Sequence, residues 1–141
     1  MADGGGAETG VDTGGGSGVD TPVDTAVDTA IFDVDGTWVD SNYQHALAWY
    51  RAFRRSNITQ PLWQLHRGIG MGGDKCVGHV AGEDVEREHG DALRESWIEE
   101  FDRLIGEIRP FAATAPLLKV MKQRGFRVVL ASSGRPSMTP R

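Results

Sequence analysis

Residues 29–41 read Thr29-Ala30-Ile31-Phe32-Asp33-Val34-Asp35-Gly36-Thr37-Trp38-Val39-Asp40-Ser41. The run over 30–34 is short, apolar and partly β-branched, the pattern of a buried strand. Two carboxylates, Asp33 and Asp35, fall where that strand should end. Side chains two residues apart on a strand point to one side, so both would aim at one spot above its carboxyl end. Gly36 permits a sharp turn there. In open α/β sheets, the crevice beyond the strand ends is where ligands bind.

Two close like charges repel, and a bound cation or a shared proton must compensate them. Carboxylate oxygens suit Mg²⁺, which keeps several waters and is commonly held by one or two carboxylates and a substrate phosphate. Phosphate chemistry is the implied use, with one carboxylate as nucleophile and the other as general acid and base. An EF-hand loop would need its glycine at the sixth loop position, with further oxygen ligands after it. Here Gly36 comes at the fourth position, and Trp38 and Val39 follow.

The whole run resembles the first motif of the haloacid dehalogenase-like (HAD) superfamily: an apolar strand, Asp-x-Asp-Gly-Thr, an apolar pair, Asp-Ser. In that family the first Asp attacks phosphorus and forms an aspartyl-phosphate, a role that would fall to Asp33. The second would be Asp35, protonating the leaving oxygen and then activating water. The resemblance implies Mg²⁺ held by the Asp33 carboxylate and the Asp35 backbone carbonyl, with Gly36 and Thr37 beside the phosphate. Trp38 stands where the family usually has Leu.

The 141 residues suffice for one ordinary domain. A net charge of −5 gives no reason to expect a nucleic-acid partner. Cys76 is the only cysteine and cannot form an internal disulfide. There is no apolar leader pattern and no apolar run of membrane-span length, so a reducing cytoplasm is the expected setting. Residues 1–28 are rich in Gly, Asp, Thr and Val, contain repeated Val-Asp-Thr, and lack Lys, Arg and aromatics. Such a segment cannot bury enough apolar surface to offset its ordering entropy, and it reads as a disordered, solvated tail.

Tyr43, Ala46, Leu47, Tyr50 and Phe53 predict a helix over 41–55, with Asp40 or Ser41 as N-cap. Arg51, Arg54 and Arg55 read as its solvated face. Pro61 opens a shorter helix through Trp63, Leu65 and His66. Residues 68–73, Gly-Ile-Gly-Met-Gly-Gly, match G-x-G-x-x-G. The dinucleotide fingerprint needs a strand before it, and the preceding residues have a helical pattern instead, so 68–73 reads as a loop opening a helix at Asp74. Cys76 reads as core, and His79 and His89 lack partners at metal-ligand spacing. Residues 83–108 predict a long charged helical region that can break at Gly90. Its apolar stripe is Leu93, Trp97, Phe101, Leu104 and Ile108. Together, 41–108 read as an α-helical cap inserted after the first strand. In capped HAD proteins a loop like 68–73 faces the active site, which implies that His66, Arg67 and Lys75 touch the non-reacting part of the substrate.

The chain returns to the core at Arg109-Pro110-Phe111. Thr114 is the expected N-cap of a helix whose buried face is Leu117, Leu118 and Met121 and which Gly125 ends. Residues 127–134 hold the second strand, and 128–131 are continuously apolar, like a parallel strand covered on both faces. It ends in Ser132-Ser133-Gly134, and hydroxyl and N–H groups at a strand end can hold a phosphoryl oxygen. This resembles the second HAD motif, with Ser132 in the motif position and Ser133 beside it, both implied to bind phosphate. Nothing after Ser133 fills the family's third motif, a Lys, or its fourth, a set of metal-binding acids.

The expected architecture is α/β. An incomplete Rossmann-like HAD core of about two strands occupies 29–40 and 109–134, the α-helical cap is 41–108, the tail is 1–28, and 135–141 is a cut end. The sequence thus reads as the N-terminal part of a longer HAD protein. The expected function is Mg²⁺-dependent hydrolysis of a phosphomonoester, through an aspartyl-phosphate, on a small phosphorylated metabolite, with no nucleic-acid or membrane partner. The same residues would serve a β-phosphoglucomutase-like phosphotransferase, and the missing motifs fit an inactive fragment or pseudoenzyme. The haloacid dehalogenases use no Mg²⁺ and would leave Asp35 without a task. Oligomeric state is open.

Overall fold

The computed structural model describes residues 28–132. The tail up to residue 27, Ser133 and residues 134–141 lie outside them. The elements are β1 (Thr29–Asp33), β2 (Val39–Asp40), α1 (Asn42–Arg55), α2 (Leu62–Arg67), α3 (Gly73–Ala81), α4 (Glu83–Leu104), β3 (Arg109–Pro110), α5 (Thr114–Gln123) and β4 (Arg127–Ala131). β1 and β4 pair in parallel, with Ile31 opposite Val129 and Asp33 opposite Ala131. β2 and β3 form a short antiparallel ribbon where the chain leaves for the helices and where it comes back. This is the mixed α/β architecture that the sequence predicts.

β1 stops at Asp33, one residue earlier than expected, and Asp35 sits in the turn beyond it. The Val34 carbonyl makes that turn, accepting the N–H groups of Thr37, Trp38 and Val39 at 3.2, 2.9 and 3.3 Å. Gly36 adopts φ +70° there, a conformation open to glycine at little cost. The large ring at position 38 is accommodated: Trp38 is buried and meets Phe32 edge-on, with ring centroids 4.7 Å apart. Among the described residues its indole N–H has no hydrogen-bond partner.

The principal core lies between the helices. Trp49, Phe53, Leu65, Val77 and Leu93 form one buried cluster, joined by Cys76. Ala48, Phe101 and Leu104 form a second, with Ile108 packed on it. The stripe read on residues 93–108 is therefore the inner face of α4 as far as Leu104, and Ile108 extends it from the residues just after the helix. α4 does not break at Gly90. Glu86 and Arg94 lie one helical turn either side of that glycine, and they pair across it at 2.8 Å. A methyl at position 90 would meet the Glu86 carboxylate at 2.5 Å. The missing side chain is what lets the ion pair close. Arg51 and Arg55 do more than face solvent, because both reach the buried Glu100, at 3.7 and 3.4 Å, and tie α1 to α4.

Two expectations near the sheet are corrected. Ile31 and Leu130 are 69% and 58% exposed, and no residue of α5 is buried. The apolar runs of β1, β4 and α5 signal a covered sheet, but among the described residues too little packs on them to cover it. Thr114 is also not an N-cap. Ala113 holds that position, and the Thr114 hydroxyl instead donates to the Trp38 carbonyl at 2.7 Å. The Phe111 N–H donates to the same carbonyl at 3.1 Å.

Candidate active site

The carboxyl end of β1 opens into a cavity of about 630 Å³. Asp33 and Asp35 both line it, although only Asp33 is on the strand. The turn at residues 34–39 does what the strand alternation was expected to do. Asp33 is exposed, and among the described residues its Oδ1 accepts the N–H of its neighbour Val34, at 2.8 Å.

Asp35 is held very differently. Its Oδ1 accepts the Ser41 hydroxyl at 2.6 Å and lies 3.1 Å from His45 Nε2. An ionised carboxylate can only accept, so the His45 proton sits on Nε2. The hydrogen bond from His45 holds the Asp35 carboxyl below the usual carboxylate range. Burial pushes the other way, and the Ser41 hydroxyl adds to the lowering. Hydrogen bonds that favour the charged form have this effect. Ser41 begins α1 but makes no side-chain cap on it; its hydroxyl is turned to Asp35. The His45 ring stacks on Phe101 at 4.2 Å and on Trp97 at 5.6 Å. The partner of Asp35 is thereby fixed by α4.

Sequence reasoning did not single out His45. Ser41 and His45 are four apart and share one face of a helix, and Ser41 stands shortly after the two aspartates. Following that face back to Asp35 would have found the histidine. Asn42, Trp49, Arg94 and Trp97 also line the cavity and were likewise missed, because only the packing of α1 against α4 brings them there. The loop at 68–73 contributes Gly68, Ile69, Gly70 and Met71 to the opposite wall. It follows a helix, α2, and not a strand, so the dinucleotide reading fails on its own structural requirement. α3 begins at Gly73, one residue before the expected Asp74. His66 lines the cavity and stacks on Tyr43 at 4.7 Å, whereas Arg67 and Lys75 are not in the lining. Gly36 and Thr37 lie in the turn between Asp35 and β2. Ser132 follows directly on β4, and Ser133 is outside the described residues.

Among the described residues, no group of three or more His, Cys, Asp or Glu side chains gathers as a metal site. The donor set at the strand end is two carboxylates, which suits a hard cation that keeps its own waters and does not suit a zinc centre.

Set against known proteins, the pattern of a family described as hydrolase, haloacid dehalogenase-like hydrolase, matches residues 27–141. The chain belongs to the haloacid dehalogenase-like hydrolases. No curated protein matches it. Among solved structures, a hydrolase from Pseudomonas syringae is 30% identical, with a TM-score of 0.70; the match covers 78% of this chain and 51% of that one. A structure described as a predicted phosphatase from Clostridium acetobutylicum is 20% identical at TM-score 0.70, covering 79% and 52%. One described as a predicted phosphoglycolate phosphatase from Haemophilus somnus is 19% identical at TM-score 0.58, covering 78% and 53%. The last two show the shared HAD fold. This chain spans about half the length of each. No helix among the described residues is long and apolar enough to cross a membrane.

Proposed function

We propose that this HAD chain carries the nucleophile end of a phosphomonoester hydrolase acting on a small phosphorylated metabolite. The observation that supports this reading is the unequal treatment of the two carboxylates. Asp33 is exposed to the cavity and, among the described residues, is bonded to its neighbour's N–H alone, as an attacking oxygen should be. Asp35 is oriented by Ser41 and His45, as a proton carrier should be.

In this reading an Asp33 oxygen attacks phosphorus, and the bond from phosphorus to the ester oxygen breaks. The leaving oxygen takes a proton from Asp35, giving the free alcohol and an aspartyl-phosphate on Asp33. Asp35 then takes a proton from water, which attacks phosphorus, releases inorganic phosphate and restores Asp33. The resting Asp35 is held as the anion, so it begins as a base. A phosphate dianion beside it raises its proton affinity, which loads it for the first step. Gly36, Thr37, Ser132 and Ser133 are the proposed phosphate contacts. Mg²⁺ would be held by Asp33 and Asp35, and when bound it supplies positive charge that offsets the phosphate and the two carboxylates. Residues 41–108 serve as the cap in this scheme. A cytoplasmic setting belongs to it as well, resting on the lone Cys76.

A second reading has one observation in its favour. Too few acidic side chains gather among the described residues to enclose a metal, as in a non-catalytic chain that binds phosphate weakly. The deciding experiment is Mg²⁺-dependent release of phosphate from an aryl phosphate by the purified chain, with Asp33→Asn as control. Release that vanishes in the control supports the hydrolase. A folded chain with no release above the control refutes it.

A further inference from the structure

The walls of the cavity away from Asp33 and Asp35 carry a chemical signature of their own. Trp49, Trp97 and Ile98 come from α1 and α4, and Ile69 and Met71 come from the loop at 68–73. Among the described residues, Arg94 is the one Lys or Arg side chain in the lining, and its charge is already matched. Its Nη1 donates to Glu86 Oε1 at 2.8 Å and to the Gly73 carbonyl at 3.3 Å. Its Nη2 donates to Asp91 Oδ1 at 2.9 Å. His66 is stacked on Tyr43, and Asp74 adds a further acid to the lining.

We infer that the group esterified to phosphate is uncharged and presents an apolar or aromatic face to Trp97, Ile98, Ile69 and Met71. The inference rests on the hydrolase reading above and narrows its substrate class. A leaving group with a second anion, such as a carboxylate, would have to break the Arg94 pairs or lie unpaired beside Asp74. An unpaired charge in a partly enclosed site is strongly disfavoured. A flat apolar group gains contact with the accessible part of the Trp97 indole and with Ile98, and it disturbs no ion pair.

The test is binding to the full chain in Mg²⁺, by calorimetry and by quenching of tryptophan fluorescence. The probes are inorganic phosphate, benzylphosphonate and phosphonoacetate. Benzylphosphonate should bind about tenfold or more tightly than phosphonoacetate, the scale of one good apolar contact. The variant Asp91→Asn releases one partner of Arg94 at a fully exposed position, where the side chain is 99% accessible. It should improve phosphonoacetate binding several-fold and leave benzylphosphonate unchanged. Phosphonoacetate binding as tightly as benzylphosphonate, or Asp91→Asn leaving phosphonoacetate unchanged, overturns the inference while the phosphate site stands. If none of the three probes binds, the phosphate site falls and this inference falls with it.

Discussion

The Ser41 hydroxyl lies 2.6 Å from Asp35 Oδ1 and leaves the helix it begins without a side-chain cap. A residue type favoured as a helix start has been given to the orientation of a carboxylate. Ser41 is fully buried, so the trade is internal to the protein.

Replacing Ser41 with Ala should therefore cost a hydrogen bond to a charged group and no capping energy, about 1.5–3 kcal/mol at neutral pH. The pH dependence has a definite sign. The Asp35 carboxyl is held below its unfolded value, so its contribution is present above about pH 4 and is lost as pH falls through the folded value. Urea titrations of the parent chain and Ser41→Ala should differ at pH 7 and converge in acid. A constant difference across that range would show that Ser41 acts independently of the Asp35 charge.

His45 has two separable tasks, a donor to Asp35 and a ring in an aromatic stack. His45→Phe keeps the ring against Phe101 and Trp97 and removes the donor. His45→Gln keeps a donor and removes the ring. Carboxyl NMR titration should find Asp35 titrating at higher pH in His45→Phe than in the parent chain. His45→Gln should leave that titration closer to the parent and lower the unfolding free energy by about 0.5–1.5 kcal/mol for the lost ring pairs.

Gly36 is constrained twice. Its φ is +70°, and a methyl there would meet Asn42 Nδ2 at 2.6 Å. Gly36→Ala should destabilise by about 1–3 kcal/mol, combining backbone strain and the clash. Adding Asn42→Ala should recover the steric part and leave the backbone part. Denaturation of the two single variants and the double variant should thus be non-additive.

Cys76 is 1% exposed, and burial, with the Glu86 carboxylate nearby, pushes its thiol up to about 11. Little thiolate exists at pH 8, and reagents have little access. Labelling by a thiol-reactive disulfide should be slow in the native chain and accelerate with added urea. Rapid labelling without urea would contradict the buried position.

Much of this was legible in residues 29–41 because local chemistry determined it: an apolar strand, two acids, and a glycine where the chain turns. The helices at 42–55 and 83–104 were legible from their apolar spacing, and the loop at 68–73 from the helical residues before it. His45, Arg94 and Trp97 were not. Each reaches the cavity through the packing of α1 on α4, and no local pattern encodes that packing. The exposure of Ile31 and Leu130 was misread for a related reason. A strand's sequence records what it is suited to touch, and only the fold shows what touches it. The capping assignment of Thr114 failed because the helix starts one residue earlier, with Ala113 as its cap, and the Thr114 hydroxyl is turned toward the Trp38 carbonyl in the turn before β2.

The register of the parallel pair places Thr29 beside Arg127 and Asp33 beside Ala131, joining the two ends of the described chain. Closing so long a loop is entropically costly and slow, whereas the contacts among α1 to α4 are nearer in sequence. The helices should consequently assemble first and the pair close last. Open early and close late is also the expected order in the native state: amide exchange at Ile31 and Val129 should be fast relative to that at Phe53 and Leu93. Among the described elements, the strand that carries Asp33 is then the one held most weakly in time, and anything that grips the phosphate end of the cavity would slow its opening.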